Sequence, residues 1–351
     1  MFHNPYFDNH EQVVFTADEA SGLRALIAIH NTARGPALGG CRVWTYASED
    51  AALADALRLS RGMTYKSAIA ELPLGGGKSV ILLPKDGRKT PQMFRALGRT
   101  IERLSGSYIV AEDVGTTPDD MYAIRQETRH VTGLSREHGG VGAPSPTTAD
   151  GVFLALAATA EALGRDLSGL HVAVQGLGAV GYGLATRLKA AGARLTVADI
   201  SADAVARAVR ELGATAVKPD EILTVEADIL SPNALGGVLG EATIPHLKVA
   251  AVAGGANNQL VTPADGEALR RRVILYAPDY VANAGGVIKM CEEYFGWSSN
   301  EVTRRVEAIG PRLKAIFAEA ARDGIATNLA ADRMAERNFR PATTAALQKA
   351  G

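Results

Sequence analysis

The sequence predicts an α/β protein of two domains, and three observations carry that prediction. The chain has 351 residues, more than a single core usually serves. Its middle alternates short apolar, β-branched runs with helix-periodic segments, the pattern of a parallel sheet with crossover helices. Its first part, to about residue 140, also mixes strand-like and helical runs but lacks the glycine pattern that opens the second. Composition is that of a globular chain, with 47% hydrophobic and 21% charged residues, and a formal net charge of −1 gives no electrostatic reason to bind nucleic acid or an anionic membrane. No apolar run approaches the roughly 20 residues that span a bilayer. The start, Met1-Phe-His-Asn-Pro-Tyr6, has no basic region followed by an apolar core, so a cytoplasmic location is expected. Cys41 and Cys291 lie far apart and outside any Cys-x-x-Cys spacing, and His30, His130 and His138 have no metal-ligand spacing, so neither a disulfide framework nor a metal site is expected.

In the first part, Leu26-Ile-Ala-Ile-His30 reads as a strand. Glu49 to Gly62 reads as a helix, with Leu53, Ala56, Leu57, Leu59 and Met63 on neighbouring turns. Lys78 to Leu83 reads as a second strand and Tyr108 to Glu112 as a third, which puts Asp113 at a strand end. Thr117 then caps a helix with Pro118 at its first position and Asp119 and Asp120 in its first turn. The segment His138-Gly-Gly-Val-Gly-Ala-Pro-Ser-Pro146 is rich in glycine and proline and marks the boundary. Residues 1–140 are therefore expected to form one domain and 141–324 the other, with a cleft between them. The helical tail, about 325–351, is expected to return to the first domain.

The second part opens on Leu170-His-Val-Ala-Val-Gln175, a buried-strand pattern, followed at once by Gly176-Leu177-Gly178-Ala179-Val180-Gly181. Val180, Leu184 and Leu188 recur at four-residue spacing up to Gly192, a helix stop. A second strand, Arg194 to Asp199, ends in an acid. This is the fingerprint of a Rossmann-type dinucleotide-binding domain. The first glycine allows the tight turn, the second admits a pyrophosphate, the third lets helix and strand pack, and the helix N-terminus attracts the anion. An acid at Asp199 suits the ribose hydroxyls of NAD and would repel the 2′-phosphate of NADP. Further strands end in Ser231-Pro-Asn233, in Ala253-Gly-Gly-Ala-Asn257-Asn258 and in Pro278-Asp-Tyr-Val-Ala-Asn283. Small and amide residues at the carboxyl ends of parallel strands mark a ligand crevice.

One glycine run falls elsewhere. Leu72-Pro-Leu-Gly-Gly-Gly-Lys78 suggests a phosphate loop, but the pattern needs a glycine where Leu72 stands. Reading the run as a turn instead, its glycines bring backbone and substrate close to an amine. A second lysine, Lys66, and a carboxylate, Asp113 in Ala111-Glu-Asp-Val-Gly-Thr-Thr117, make a candidate reaction centre. A lysine serves as a base only if its pKa falls from about 10.4 toward neutrality. Burial beside a second ammonium would have that effect.

Taken with these motifs, Gly35-Pro-Ala-Leu-Gly-Gly40, Gly62-Met-Thr-Tyr-Lys66, Gly254-Gly-Ala-Asn-Asn-Gln259 and Pro278 to Gly286 resemble the amino acid dehydrogenases of the glutamate/leucine/phenylalanine/valine family, and its leucine dehydrogenase branch most closely. The resemblance implies reversible, NAD-dependent oxidative deamination of an L-amino acid to a 2-oxo acid and ammonia, by a homo-oligomer. It implies that Lys66 binds the substrate carboxylate, that Lys78 is the base that activates water, and that Asp113 handles protons at the amine. Gly39, Gly40 and Met63 would border the substrate, and Asn258 would sit near carboxylate and nicotinamide. Thr148, Ile200, Ala253 and Asn283 complete the expected cofactor contacts. Leu38 stands where glutamate enzymes carry a lysine, so glutamate is not expected as substrate. An apolar pocket of Leu38, Ala111, Val287 and Met290 would suit a branched aliphatic side chain first and an aromatic one second. The chain departs from the leucine branch at Met290, Lys289, Ala282 and Cys41. A non-catalytic NAD sensor is the reading from another class, and the lysine pair argues against it.

Overall fold

A computed structural model describes residues 2–84 and 87–340, and these form two compact units. The first comprises the chain up to Ala143, with Met290–Ser298 and the residues from Ala335. The second comprises Pro144–Lys289 and Ser299–Met334. The α/β class is the one the sequence predicts, but the dividing points differ in detail. Met290–Ser298 counts with the first unit because the Thr132 hydroxyl donates to Met290 Sδ (3.6 Å), the Leu134 N–H donates to Glu293 Oε1 (3.2 Å) and the His130 ring meets the Tyr294 hydroxyl (2.8 Å). The C-terminal return starts at Ala335 rather than near 325. There the Tyr65 hydroxyl donates to Glu336 (2.6 Å), Asn338 donates to the Ala68 carbonyl (3.0 Å) and Phe339 packs edge-on against Tyr65. Residues 341–351 of the expected tail lie outside the described residues.

The first unit contains β1 (Gln12–Asp18), β2 (Leu23–Asn31), β3 (Ala37–Trp44), α1 (Glu49–Ile69), β4 (Gly75–Leu82), α2 (Pro91–Arg103), β5 (Tyr108–Glu112) and α3 (Pro118–Arg125). Its sheet runs β1-β2-β4-β3-β5. β1 and β2 are antiparallel, as are β2 and β4, whereas β4, β3 and β5 are parallel. The Ser48 side chain caps α1, and Glu49 and Asp50 favour the positive end of its dipole. The helix outruns the expected Gly62 and reaches Ile69, so Met63 and Lys66 both ride on it. Thr117 caps α3, as the sequence predicts, and Asp120 completes a capping box with it.

Gly75, Gly76 and Gly77 prove to be strand residues rather than a turn. A Cβ on Gly75 would lie 1.9 Å from the Asn31 carbonyl oxygen, one on Gly76 2.0 Å from the Thr64 nitrogen, and one on Gly77 2.7 Å from the Tyr108 ring. The run therefore lets β2, α1 and Tyr108 close onto β4. His30, at an irregularity in the β2-β4 register, contacts Thr64 Oγ1 at 2.8 Å and so braces the same packing. Burial, with His10 adding to it, lowers the His30 pKa to about 4. Below pH 6.5 the unfolded chain takes up a proton that the fold refuses down to about 4, so the fold loses stability as pH falls through that window. The loss is up to about 3 kcal/mol. Urea midpoints at pH 7 and pH 4.5 should diverge less in His30→Gln than in the wild type.

The second unit contains α4 (Ser145–Ala162), β6 (His171–Gln175), α5 (Ala179–Ala190), β7 (Arg194–Ala198), α6 (Ala202–Leu212), β8 (Thr215–Ala216), β9 (Ile229–Pro232), β10 (Ala251–Val252), α7 (Asp265–Arg271), β11 (Leu275–Tyr276) and α8 (Asp279–Ala282). Then follow α9 (Gly285–Phe295), α10 (Ser299–Glu307), α11 (Ile309–Asp323) and α12 (Thr327–Phe339). The boundary between the units passes through α9 and through α12. The six strands are all parallel in the order β8-β7-β6-β9-β10-β11. Counted from β6, that is 3-2-1-4-5-6, the dinucleotide-binding order with its switch between β6 and β9.

One position in this unit is strained. Val273 has φ 57° and is 88% exposed, so its β-branched side chain tolerates a left-handed backbone without burying apolar surface. That conformation costs an L-residue about 1–2 kcal/mol, and glycine gives back about 0.5–1 in chain entropy. Val273→Gly should raise the melting temperature, a net gain of about 0.5–1 kcal/mol. Calorimetry would read it, and a lower melting temperature would contradict it.

Candidate active site

Sheet register assembles the centre of the first unit. Leu38 pairs with Gly76 and Cys41 with Ser79, so by the same offset Gly40 lies beside Lys78. On the other side of β3, Gly40 pairs with Ala111 and Cys41 with Glu112, so Asp113 emerges just past β5. Alternation puts positions 40 and 42 of β3 on the face that carries Lys78. Gly40 has no side chain there, and a Cβ on it would come within 2.6 Å of Asp113 Cβ. The carboxylate occupies that space. Lys78 Nζ donates to Asp113 Oδ2 at 2.5 Å, and Arg42 Nε donates to the same oxygen at 3.2 Å. The Asp113 N–H donates to Thr116 Oγ1, whose hydroxyl returns a bond to the Asp113 carbonyl.

Both charged groups are shifted from their ordinary values. Burial is the main cause that lowers the Lys78 pKa; Arg42 lowers it further, and Asp113 opposes both. Arg42 is thus a cation that assists burial, and no motif in the sequence singles it out. Burial would raise the Asp113 pKa, but Lys78 and Arg42 outweigh it and hold the carboxyl below its usual range. Beside them Cys41 is buried, and that burial pushes its thiol up to about 12, so it is inert.

Around this pair, Leu38, Gly39 and Ala111 are buried strand residues, and Met63 and Lys66 are half-buried on α1. Thr64, between them in sequence, is the residue that Gly76 admits, so that stretch of α1 lies directly on β4. Met290 belongs to the first unit and is held by Thr132. Val287 is buried, Asn258 lies in the segment after β10 and Asn283 is the C-cap of α8, and all three belong to the second unit.

In the second unit the glycine loop has the geometry its chemistry needs. Gly176 has φ 89°, which favours glycine, and a Cβ on Gly181 would lie 2.0 Å from the Gly176 carbonyl oxygen. Nothing lies within 4 Å of a Cβ on Gly178, the N-cap of α5. Leu177 and Val180 are covered to different degrees, Ala179 is exposed, and Ile200 is 94% exposed beside Asp199. Asp199 accepts from the N–H groups of Leu177 (2.6 Å) and Ser201 (2.8 Å), which ties the acid to the loop. Thr148 donates to the Pro144 carbonyl and lies against Gly286. Buried Ala253 leads into an amide chain: Gly255 N–H donates to Asn233 Oδ1, and Asn283 donates to the Gly255 carbonyl and to Asn257 Oδ1. Asn283 Oδ1 is buried and has no partner among the described residues. An unmet acceptor at the carboxyl ends of the strands fits a cofactor amide donor. Asn258 keeps φ 52°, a backbone that asparagine tolerates. Among the described residues no group of three or more His, Cys, Asp or Glu could hold a metal ion.

Comparisons with known proteins agree with both units. The family model described as Glu/Leu/Phe/Val dehydrogenase, dimerisation domain, matches residues 9–130, and that of Glutamate/Leucine/Phenylalanine/Valine dehydrogenase matches 199–348. The NAD binding domain of D-isomer specific 2-hydroxyacid dehydrogenase matches 147–237. Leucine dehydrogenase of Bacillus cereus is 53% identical over 333 residues, covering 94% of this chain and 91% of the relative. The chain belongs to the Glu/Leu/Phe/Val dehydrogenase family. Phenylalanine dehydrogenase of Lysinibacillus sphaericus, in the same family, is 46% identical, covering 94% of this chain and 89% of the relative. The crystal structure of L-tryptophan dehydrogenase from Nostoc punctiforme superposes with TM-score 0.84 at 43% identity, covering 94% and 96% of the two chains. As a dehydrogenase of this family, the protein uses a nicotinamide dinucleotide, and its second unit is built for one.

Two residues at these centres escaped the sequence reading of the site. Asn233 was visible only as one of several strand-end amides, and no spacing set it apart. Arg42 follows Gly40 by two residues on a strand, and that alternation was the one available signal.

Proposed function

We propose that this dehydrogenase catalyses NAD-dependent oxidative deamination of an apolar L-amino acid, leucine or another branched-chain one first, and the reverse amination of the 2-oxo acid. The observation that carries the proposal is the ion pair of buried Lys78 with half-buried Asp113 at 2.5 Å, brought together across β3. The bound nicotinamide would accept a hydride from the substrate α-carbon. Lys66 holds the substrate carboxylate by charge, and Met63, Gly39 and Gly40 border the reacting carbon. Asp113 accepts a hydrogen bond from the substrate amine and passes protons between it and Lys78. Lys78, whose pKa burial lowers, takes a proton in its neutral form from the water that adds to the substrate iminium and returns it to the departing ammonia. Proton transfers of this kind contribute about 10²- to 10⁴-fold each.

Gly176 to Gly181, with Thr148, would hold the pyrophosphate. Asp199 and Ile200 would take the adenosine side, and Ala253, Asn258 and Asn283 the nicotinamide side. The carboxylate at Asp199 supports NAD over NADP, since a 2′-phosphate there meets a like charge. Leu38, Ala111, Val287 and Met290 would form the side-chain pocket, where the longer, pliable thioether of Met290 can also accept a ring. The 46% identity to a phenylalanine dehydrogenase favours an aromatic substrate as the second reading. A homo-oligomer in the cytosol completes the proposal. The dimerisation-domain match supports the first, and the free thiols of Cys41 and Cys291 suit a reducing compartment.

The test is kcat/KM for 4-methyl-2-oxopentanoate and for phenylpyruvate with ammonia, each with NADH and with NADPH. Preference for the branched 2-oxo acid and NADH is expected. Preference for phenylpyruvate would favour the aromatic reading.

A further inference from the structure

Resting on the roles given above to Lys78 and Asp113, we propose that Arg42 is a positioning residue of the reaction: anchored by Asp55, its guanidinium fixes the Asp113 carboxylate against the Lys78 amine. β3 lies between the strand that carries Lys78 and the strand that ends at Asp113. Of its residues on that face, Leu38 and Trp44 are apolar and Gly40 has no side chain, so Arg42 is the one that meets the pair with a charge.

Its fork is divided between two acids. Nε donates to Asp113 Oδ2 at 3.2 Å, and Nη1 donates to Asp55 Oδ2 at 2.8 Å. Asp55, on α1, also accepts from the Tyr46 hydroxyl (2.7 Å) and from Arg58 Nη2 (2.9 Å). The anchor is therefore itself held by three donors, and its side chain is only 15% exposed. Swinging Arg42 away would strip a half-buried carboxylate of its nearest cation, a costly change. A planar guanidinium can serve both acids at fixed angles, and a lysine ammonium at the same site cannot.

Charged groups that act on Lys78 come from three sides of it. Asp113 follows β5, Arg42 is on β3 and Asp55 is on α1. Arg42 lowers the Lys78 pKa, and Asp113 and Asp55 raise it. Loss of Arg42 therefore moves the titration of Lys78 up, both by removing a cation and by leaving Asp113 to Lys78 alone. Loss of Asp55 moves it down. An ion pair that merely tied β3 to α1 would cost stability without this pair of opposite shifts.

The experiment uses the full chain with ¹³Cε-labelled lysine, the Lys78 resonance being assigned by its absence in Lys78→Met. Arg42→Gln is expected to bind NADH as the wild type does, to lose about 10- to 100-fold in kcat with little change in KM, and to titrate Lys78 at higher pH. Arg42→Lys should recover only part of kcat, and Asp55→Asn should titrate Lys78 at lower pH. An unmoved Lys78 titration in Arg42→Gln, or full recovery by Arg42→Lys, would overturn the proposal. If Arg42→Gln does not fold, Asp55→Asn decides, and an unmoved titration there overturns it as well. The titration needs no turnover, so a wild type inactive on every amino acid would defeat the functional reading while the resonance still decides the role of Arg42.

Discussion

Replacing Lys78 by alanine lowers turnover by about 10²- to 10⁴-fold and leaves NAD binding unchanged. The amine lies on a buried strand of the first unit, and the glycine loop that would hold the dinucleotide lies in the second. Loss of the amine therefore removes the proton acceptor for water and leaves the cofactor cradle as it was. The substitution also leaves the contact between Arg42 and Asp113 in place, so the carboxylate keeps a partner and the fold survives. In the wild type, deamination should rise with pH through the Lys78 pKa, because only the neutral amine can act as a base. Burial and Arg42 set that limb below the ordinary lysine range. Steady-state kinetics with L-leucine and NADH binding by fluorescence would read both effects. Near-normal turnover in Lys78→Ala would remove the base from the account.

Gly39→Ala destabilises the first unit by about 3 kcal/mol or more. The added Cβ would sit 1.8 Å from the Gly77 carbonyl oxygen and 2.9 Å from the Lys78 nitrogen. Those neighbours are backbone, so no side chain can turn aside, and β4 itself must move with Lys78 on it. Gly178→Ala is the matching control. Its Cβ would meet nothing within 4 Å, so stability should hold while the approach of a pyrophosphate is obstructed. Chemical denaturation and NADH titration of the two variants should give opposite patterns: Gly39→Ala loses midpoint, and Gly178→Ala loses affinity. Equal midpoints for Gly39→Ala and the wild type would contradict the close packing of β3 on β4.

The second unit was the more legible from sequence because its signals are local. A strand, three spaced glycines, a periodic helix and an acid at the next strand end occur within thirty residues, and each demands its residue type by itself. The Thr117 cap of α3 was legible for the same reason. The glycines before Lys78 were not. Read locally they make a turn, yet each is small because of a neighbour distant in sequence: Asn31, Thr64 or Tyr108. Arg42 was hidden likewise, since its worth depends on β3 lying between β4 and β5, an order that crosses over in the chain. The division of the chain at Met290 depends on Thr132, Leu134 and His130, more than 150 residues earlier, and no periodicity in α9 announces it.

On the function proposed above, the Lys78 centre exchanges an amino group and does not simply reduce a carbonyl, as the 2-hydroxyacid dehydrogenase match in the second unit alone would permit. This is tested most directly by supplying 4-methyl-2-oxopentanoate and NADH with and without ¹⁵N-labelled ammonia and identifying the product. NADH should be consumed only when ammonia is present, with one ¹⁵N-labelled leucine formed for each NADH oxidised. Consumption without ammonia to give the 2-hydroxy acid, or no consumption with any apolar 2-oxo acid, would contradict it.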